Sequence, residues 1–447
     1  MFTTLSLKNF KGWANTGDIR LAPITVFFGT NSSGKTSLLQ SILLLKQTAA
    51  ASDRRRVLHA GDDRSLIDLG TPADLLHGRN TDAVLHQCLS WTLPDGSDKP
   101  LLVAGSPVKE LTFSVDVRLT AEGQPFVEGF LYKAGNIEIG VKRKGDDEYD
   151  LFARGFSLNR RRGRAWPLPP PVRFYGFPDE AVNYYKDLDW LPDLALALER
   201  QLARVHYVGP LREYPKRSYL WAGDRPESVG TRGELAIPAL LAARADRRTI
   251  GYGSGKGTRY KEFEEVIADR LKTMGVIHDF RTVQLGPHRK DYEVRVKRTA
   301  ASTEVLVTDV GFGVSQLLPI LVQCYYAAPG STVIFEQPEI HLHPKVAADL
   351  ADVLIDASEV CGVQFIVESH SEHFLQRLQR RIAEERTTEA NVALYACDVV
   401  EGVSEIADLN VDEFGNIRNW PKDFFGDPVG DAAARAKATI ARRKKLA

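Results

Sequence analysis

The segment Gly29-Thr30-Asn31-Ser32-Ser33-Gly34-Lys35-Thr36 constrains this chain more than any other. It fits the pattern GxxxxGK[ST], follows the apolar run PITVFF and opens the apolar stretch SLLQSILLLK. A phosphate-binding loop needs that strand-loop-helix context. Its glycines let backbone N–H groups turn inward around phosphate oxygens, and the helix N-terminus adds the positive end of its dipole. Lys35 in such a loop reaches the β- and γ-phosphates, and the Thr36 hydroxyl ligates Mg²⁺. ATP and Mg²⁺ are the expected ligands.

Three later segments supply what a triphosphate site lacks so far. TVIFEQPEIHLHP (332–344) reads as a buried strand ending in Glu336, a carboxylate placed to hold the Mg²⁺ water shell. DVGFGVSQLLPIL (309–321) puts Gly311 and Gly313 ahead of an apolar helix. The exposed N-terminus of that helix could cap a γ-phosphate held by a second subunit. Glu368-Ser369-His370-Ser371 ends the next strand, where a neutral His370 can hydrogen-bond the γ-phosphate or the attacking water.

Other signals are discounted. GSGKGT (253–258) lacks the first glycine of the pattern, because Ile250 stands there, and Gly257 follows its lysine. His341 and His343 have no third ligand nearby, and as alternate residues of a strand they would face opposite ways. Lys+Arg and Asp+Glu both number 58, so no global charge favours nucleic acid. DNA contact would have to run through the basic runs Arg54–Arg56, Arg160–Arg164 and Arg442–Lys445. Arg212 and Arg217 are candidates for touching nucleotide or partner, with ion pairing the equal alternative. The four cysteines show no CxxC spacing and read as buried thiols. No apolar run reaches signal-peptide or membrane-span length, so a cytoplasmic protein with no membrane contact is expected.

Periodicity predicts short strands over 1–28 and a helix over 34–49. A mixed, loop-rich stretch follows to 110, then a strand meander over 111–165 and a basic, Pro-rich connector over 159–171. Residues 190–204 and 259–274 read as helices, with strands at 205–208, 279–285 and 291–297. From 332 the pattern alternates strand and helix, the mark of an α/β unit.

Together these motifs resemble the ABC-type ATPase heads of the SMC, RecF and overcoming-lysogenization-defect group. The opening LSLKNFKGW…APITVFFGTNSSGKTSLL is similar to that group's first strands and P-loop, and LGPHRKDYEV (285–294) to a RecF segment. IFEQPEIHLHP and VESHSEHFL resemble its Walker B and His-loop segments. YVGPLREYPKRSYLWAG (207–223) and GNIRNWPKDFFGD (415–427) look closer to stand-alone ATPases of bacterial defence islands, similar in layout to the ATPase subunit of Septu-type systems. The resemblance assigns phosphate binding to Gly29–Thr36, Mg²⁺ to Thr36 and Glu336, and γ-phosphate sensing to His370. Two departures stand out. Gly311-Phe312-Gly313 replaces the usual Ser-x-Gly, so backbone N–H groups or Ser315 would have to act in trans. Glu336-Gln337 replaces the usual Asp-Glu. A glutamine amide orients water but does not take its proton as a carboxylate does. Glu339 either replaces the base, or turnover is slow and partner-triggered.

The expected architecture is α/β: an ABC-type P-loop ATPase head with a mixed central sheet, plus an inserted β-rich arm and helical lid. The head would combine 1–50 with 300–427, the insert would span 51–300, and a basic helical tail would cover 428–447. Two heads would sandwich ATP as a homodimer or higher oligomer. Three readings stay open. The first is an ATPase switch of a defence or DNA-transaction complex, acting with a separate nuclease-like effector. The second is a non-hydrolysing ATP-gated scaffold, and the third a RecF-like repair factor that binds duplex DNA. The first is favoured. The stretch after His370 is short for a Toprim nuclease, and no acidic or HNH-like cluster for metal-dependent cleavage is visible.

Overall fold

The computed structural model describes residues 1–93, 100–161, 166–252, 258–420, 434–439 and 442. In chain order the elements that place the site are as follows. Strands β1 (Phe2–Phe10), β2 (Trp13–Arg20) and β3 (Ile24–Gly29) precede helix α1 (Lys35–Ala50). Strand β4 (Leu85–Thr92) is followed by β5 (Glu110–Leu119), β6 (Pro125–Ala134), β7 (Ile137–Gly145) and β8 (Glu148–Arg154). Helix α2 (Leu191–Ala203) leads into β9 (Val205–Val208). Helices α3 (Ala236–Ala245) and α4 (Phe263–Thr273) come before the hairpin β10 (Asp279–Gln284) and β11 (Asp291–Lys297). Then come α5 (Phe312–Tyr326), β12 (Thr332–Glu336), α6 (Pro344–Cys361), β13 (Gln364–Glu368), α7 (Glu372–Ala383), β14 (Val392–Val400) and β15 (Val403–Asp408).

Two sheets carry the architecture. One has seven antiparallel strands in the order β8-β7-β6-β5-β4-β1-β2. The other runs β9-β12-β13-β3-β14-β15, with its first five strands parallel and β15 antiparallel at the edge. This is the mixed central sheet expected of an α/β P-loop head. Residue choice explains the difference between the sheets. In β5 buried and less buried positions alternate, as in a sheet with one covered face. In β12 and β13 every residue is buried, as in parallel strands covered on both faces.

The layers follow from side-chain alternation. Phe27, Ile334 and Ile366 face one core, shared with Leu38, Leu39 and Ile42 of α1 and with Phe2 and Leu89 of the antiparallel sheet. Ile24, Val26, Phe28, Val333 and Phe365 face a second core filled by α3 to α7. Helix α1 is thus sandwiched between the two sheets, which is why it is buried nearly all round. One buried side chain stitches the sheets together. Gln364 Oε1 accepts from Phe2 N at 2.9 Å and from Thr332 Oγ1 at 2.9 Å, while its Nε2 donates to Phe2 O at 2.7 Å and Ala22 O at 3.0 Å.

Several expectations need adjustment. Strand β4 lies within the stretch read as loop-rich, because its alternating residues complete the sheet between β1 and β5. Residues 259–262, expected to start a helix, pair with Thr249–Tyr252 as a hairpin, and the helix begins at Phe263. Residues 253–257 of GSGKGT lie outside the described residues. Val205–Val208 joins the parallel sheet beside β12, and β1 and β2 join the meander, so neither sheet follows the division at residues 50 and 300. Segment 341–343 is a turn: His341 has φ +63°, and His343 Nδ1 accepts from Lys345 N to cap α6. Of the tail, residues 434–439 are helical and exposed. Parts of the connector 159–171, of GNIRNWPKDFFGD and of the basic runs at 160–164 and 442–445 also lie outside the described residues. Cys324, Cys361 and Cys397 are buried, Cys88 is less so, and all four are free thiols. Among the described residues, no helix is long and apolar enough to cross a membrane.

Candidate nucleotide site

Strand β3 delivers the loop. Gly29 has φ +147°, and a Cβ there would lie 2.0 Å from the Cys397 carbonyl oxygen on β14. Gly34 has φ +91°, and its Cβ would lie 2.6 Å from Ser404 Oγ and 3.0 Å from the Trp13 ring. Only glycine fits either position. Helix α1 then starts with no side-chain cap, leaving its first N–H groups to face a ligand. Trp13 holds this corner from below: its Nε1 lies 3.1 Å from Gly34 O and 3.0 Å from Ser37 Oγ, donating to both.

Lys35 is buried and folded over the loop. Its Nζ donates to Thr30 O at 2.6 Å, Gly29 O at 3.2 Å and Ser33 Oγ at 3.3 Å. Burial lowers its pKa, and the nearby carboxylates Glu368 and Glu339 oppose that shift. Asn31 and Ser32 complete the loop on its exposed side.

Parallel register brings the acidic residues to the same edge. Glu336 and Glu368 are paired neighbours at the ends of β12 and β13, and Glu368 pairs with Phe27 two residues before Gly29. The Thr36 hydroxyl donates to Glu368 Oε2 at 2.7 Å. Glu336 receives a hydrogen bond from the Tyr207 hydroxyl of β9. Its Oε1 has no hydrogen-bond partner among the described residues. Burial, reinforced by the charge of Glu368, pushes the Glu336 carboxyl up to about 7.

The residues after β12 turn sharply. Gln337 adopts φ +43° and its N–H donates to Glu368 O at 2.8 Å. Glu339 returns to the site. Its Oε1 accepts from Ser369 Oγ and from His370 N, each at 2.7 Å, and its Oε2 has no hydrogen-bond partner among the described residues. Burial raises its pKa, opposed by Ser369, its own backbone, His370 and Arg212. The His370 ring is half-buried against Gly29, to whose backbone it hydrogen-bonds. Burial and then Lys35 lower its pKa, so the neutral imidazole is favoured.

The structure therefore gathers Gly29–Thr36, Glu336, Glu339 and His370, with Gln337 on the adjoining turn. Gly311 and Gly313 sit apart at the start of α5. Gly311 is exposed, with nothing within 4 Å of its Cβ position, whereas Ser315 is buried. Sequence reasoning missed Glu368, Trp13 and Tyr207. Glu368 alone carried a signal, as a strand-end carboxylate like Glu336.

These residues fit a nucleoside triphosphate with Mg²⁺. The cradle excludes Cβ atoms, a lysine spans the loop, and a threonine hydroxyl meets a carboxylate. Among the described residues no three His, Cys, Asp or Glu side chains gather as a metal cage. Mg²⁺ takes one or two carboxylates and completes its shell with phosphate and water, and Glu336 and Glu368 lie side by side at the strand ends.

Residues 24–376 match the family described as "AAA domain, putative AbiEii toxin, Type IV TA system". The chain belongs to this AAA-domain family. Residues 388–434 match a second family, described as "Protein of unknown function (DUF3696)". No curated protein matches the chain. Solved structures similar to it include SMC heads. An SMC head bound to the C-terminal winged-helix domain of ScpA is 13% identical, with 92% of this chain and 98% of that chain covered and a TM-score of 0.45. The SMC head domain from Thermotoga maritima is 12% identical, covering 92% and 99%, with a TM-score of 0.42. The Pyrococcus furiosus SMC head with an extended coiled coil, bound to the C-terminal domain of ScpA, is 13% identical, covering 91% and 96%, with a TM-score of 0.41.

Proposed function

We propose that this member of the AAA-domain family binds ATP with Mg²⁺ at Gly29–Thr36 and hydrolyses it as a conformational switch. The 2.7 Å contact between Thr36 and Glu368 carries the reading, because it joins the phosphate loop to the acidic strand ends. Thr36, Glu368 and Glu336 would hold Mg²⁺, whose charge would offset that of the phosphates. Lys35 binds the β- and γ-phosphates. Glu339 takes the proton of the attacking water. Ser369 and the His370 N–H fix one of its oxygens, which leaves Oε2 to act. Gln337 orients the water, and the neutral His370 contacts the γ-phosphate.

Two copies sandwich the nucleotide in this reading. Support comes from the exposed start of α5 at Gly311, which is capped by no side chain and suits a phosphate presented by a second copy. The discontinuous head of this proposal joins 1–50 and 300–427 and takes in Val205–Val208 from the intervening 51–300, whose β4 pairs with β1. The mention of a toxin–antitoxin system in the family description supports a defence role, and a separate nuclease-like effector completes the proposal.

The test is steady-state phosphate release by wild type, Lys35→Ala, Gln337→Ala and Glu339→Ala, with and without duplex DNA. Turnover by wild type that Lys35→Ala and Glu339→Ala both abolish is expected. ATP binding without phosphate release under either condition favours the second reading, a nucleotide-gated scaffold, for which Gln337 in place of a carboxylate is the supporting observation.

A further inference from the structure

Arg212 is a charge that the proposed reaction does not yet use. It lies four residues beyond β9 and is only 4% exposed. Its Nη2 donates to Gln337 O at 3.2 Å and reaches Glu336 O at 3.5 Å. Among the described residues its Nε and Nη1 find no hydrogen-bond partner, and the Glu339 carboxylate is the charge that acts on it. A buried guanidinium with unmatched donors is costly to keep, so its presence needs a reason.

The surrounding backbone makes Arg212 a fixed post. Gly209 N donates to Thr231 O at 2.8 Å and Glu213 N donates to Arg232 O at 2.9 Å, pinning the segment on both sides. Ahead of it, β9 pairs with β12 from Val205↔Thr332 to Val208↔Phe335, so the segment leaves the sheet beside Glu336. The guanidinium thus grips the carbonyls at the point where Gln337 turns at φ +43° and sends the chain back to Glu339.

We infer that Arg212 is a positioning residue for ATP hydrolysis: it holds the Glu336–Gln337 turn and thereby aims the Glu339 carboxylate at the attacking water. This rests on the ATPase reading above. Arg212 touches no reacting atom in this role. It acts through Glu339, so its effect falls on turnover and not on ATP affinity. A lysine keeps the charge but lacks the planar fork, so it restores the function only in part.

The test compares wild type, Arg212→Gln, Arg212→Lys, Glu339→Gln and the double variant Arg212→Gln/Glu339→Gln. Phosphate release is measured in single turnover with enzyme in excess, and binding with a fluorescent ATP analogue. Arg212→Gln should lower the rate by about tenfold or more, with analogue affinity within about twofold of wild type. Arg212→Lys should fall between the two. In the Glu339→Gln background the same Arg212→Gln change should cost less than about twofold, because the group it serves is already gone. Equal losses in both backgrounds, or an unchanged rate in Arg212→Gln, overturn the inference while leaving the ATPase reading intact. No phosphate release by wild type overturns both. Should Arg212→Gln fail to fold, Arg212→Lys carries the same comparison: a wild-type rate, or equal losses in both backgrounds, overturns the inference.

Discussion

Thr36 Oγ1 and Glu368 Oε2 lie 2.7 Å apart although 332 positions separate them in the chain. The contact forms because β13 lies directly beside β3 in parallel register, so both strands end on the same edge. Ligands of α/β proteins gather at such carboxyl ends. Glu368→Ala and Thr36→Ala are each expected to raise the Mg²⁺ concentration needed for half-maximal ATP binding. Titrating Mg²⁺ against a fluorescent ATP analogue checks this, and an unchanged midpoint in both variants removes Glu368 from the site.

Glu339→Gln should reduce phosphate release by about 10²-fold or more while ATP still binds, the usual scale for losing a general base. Gln337→Ala should cost much less, because an amide only orients the water. Rapid-quench measurement of both variants decides the assignment; the opposite ranking would make Gln337 the principal group.

Glu336 gives a pH prediction. Its carboxyl is raised to about 7 in the folded chain, above the ordinary 4.5, by burial and then by Glu368. The folded state therefore binds more protons than the unfolded state between these values, and stability falls as pH rises through that window. The contribution is fully present below about 4.5 and lost above about 7. Glu336→Gln should flatten this part of the profile in nucleotide-free, Mg²⁺-free protein. Melting temperatures across the window test it, and parallel profiles for variant and wild type argue against it.

Trp13 supports the phosphate loop through Gly34 O and Ser37 Oγ. Trp13→Phe keeps the apolar bulk and removes both hydrogen bonds, so a loss of about 1–2 kcal/mol in stability is expected. A weaker ATP affinity should accompany it, because the loop loses its fixed corner. Denaturant unfolding and analogue binding read the two effects separately.

Gln364 makes four hydrogen bonds, two of them to Phe2 across the sheets. Gln364→Leu is similar in size but leaves the Phe2 N–H and carbonyl buried without partners. A loss of about 3 kcal/mol or more is expected by chemical denaturation. A near-neutral result would mean that the strands move apart to admit water.

The sequence by itself determined the chemistry that is local. Gly29, Gly34, Lys35 and Thr36 are contiguous, and the apolar strand before them and the helix after them are written in neighbouring residues. The fully apolar cores of β12 and β13 announced a covered parallel sheet in the same way, and strand-end Glu336 followed from them. Tertiary structure decided everything that depends on register between distant strands. Trp13 under Gly34, Tyr207 on Glu336, Glu368 against Thr36 and Gln364 against Phe2 are pairings of residues with no periodic relation in the chain. The strand β4 became legible only once its partners were in place, because short strands take their identity from what they pair with. Val205–Val208 already read as a strand, and tertiary structure decided only its place beside β12. Arg212 stood in the sequence as a candidate contact with nucleotide or partner, and packing decided what it touches by burying it against the turn that carries Glu339.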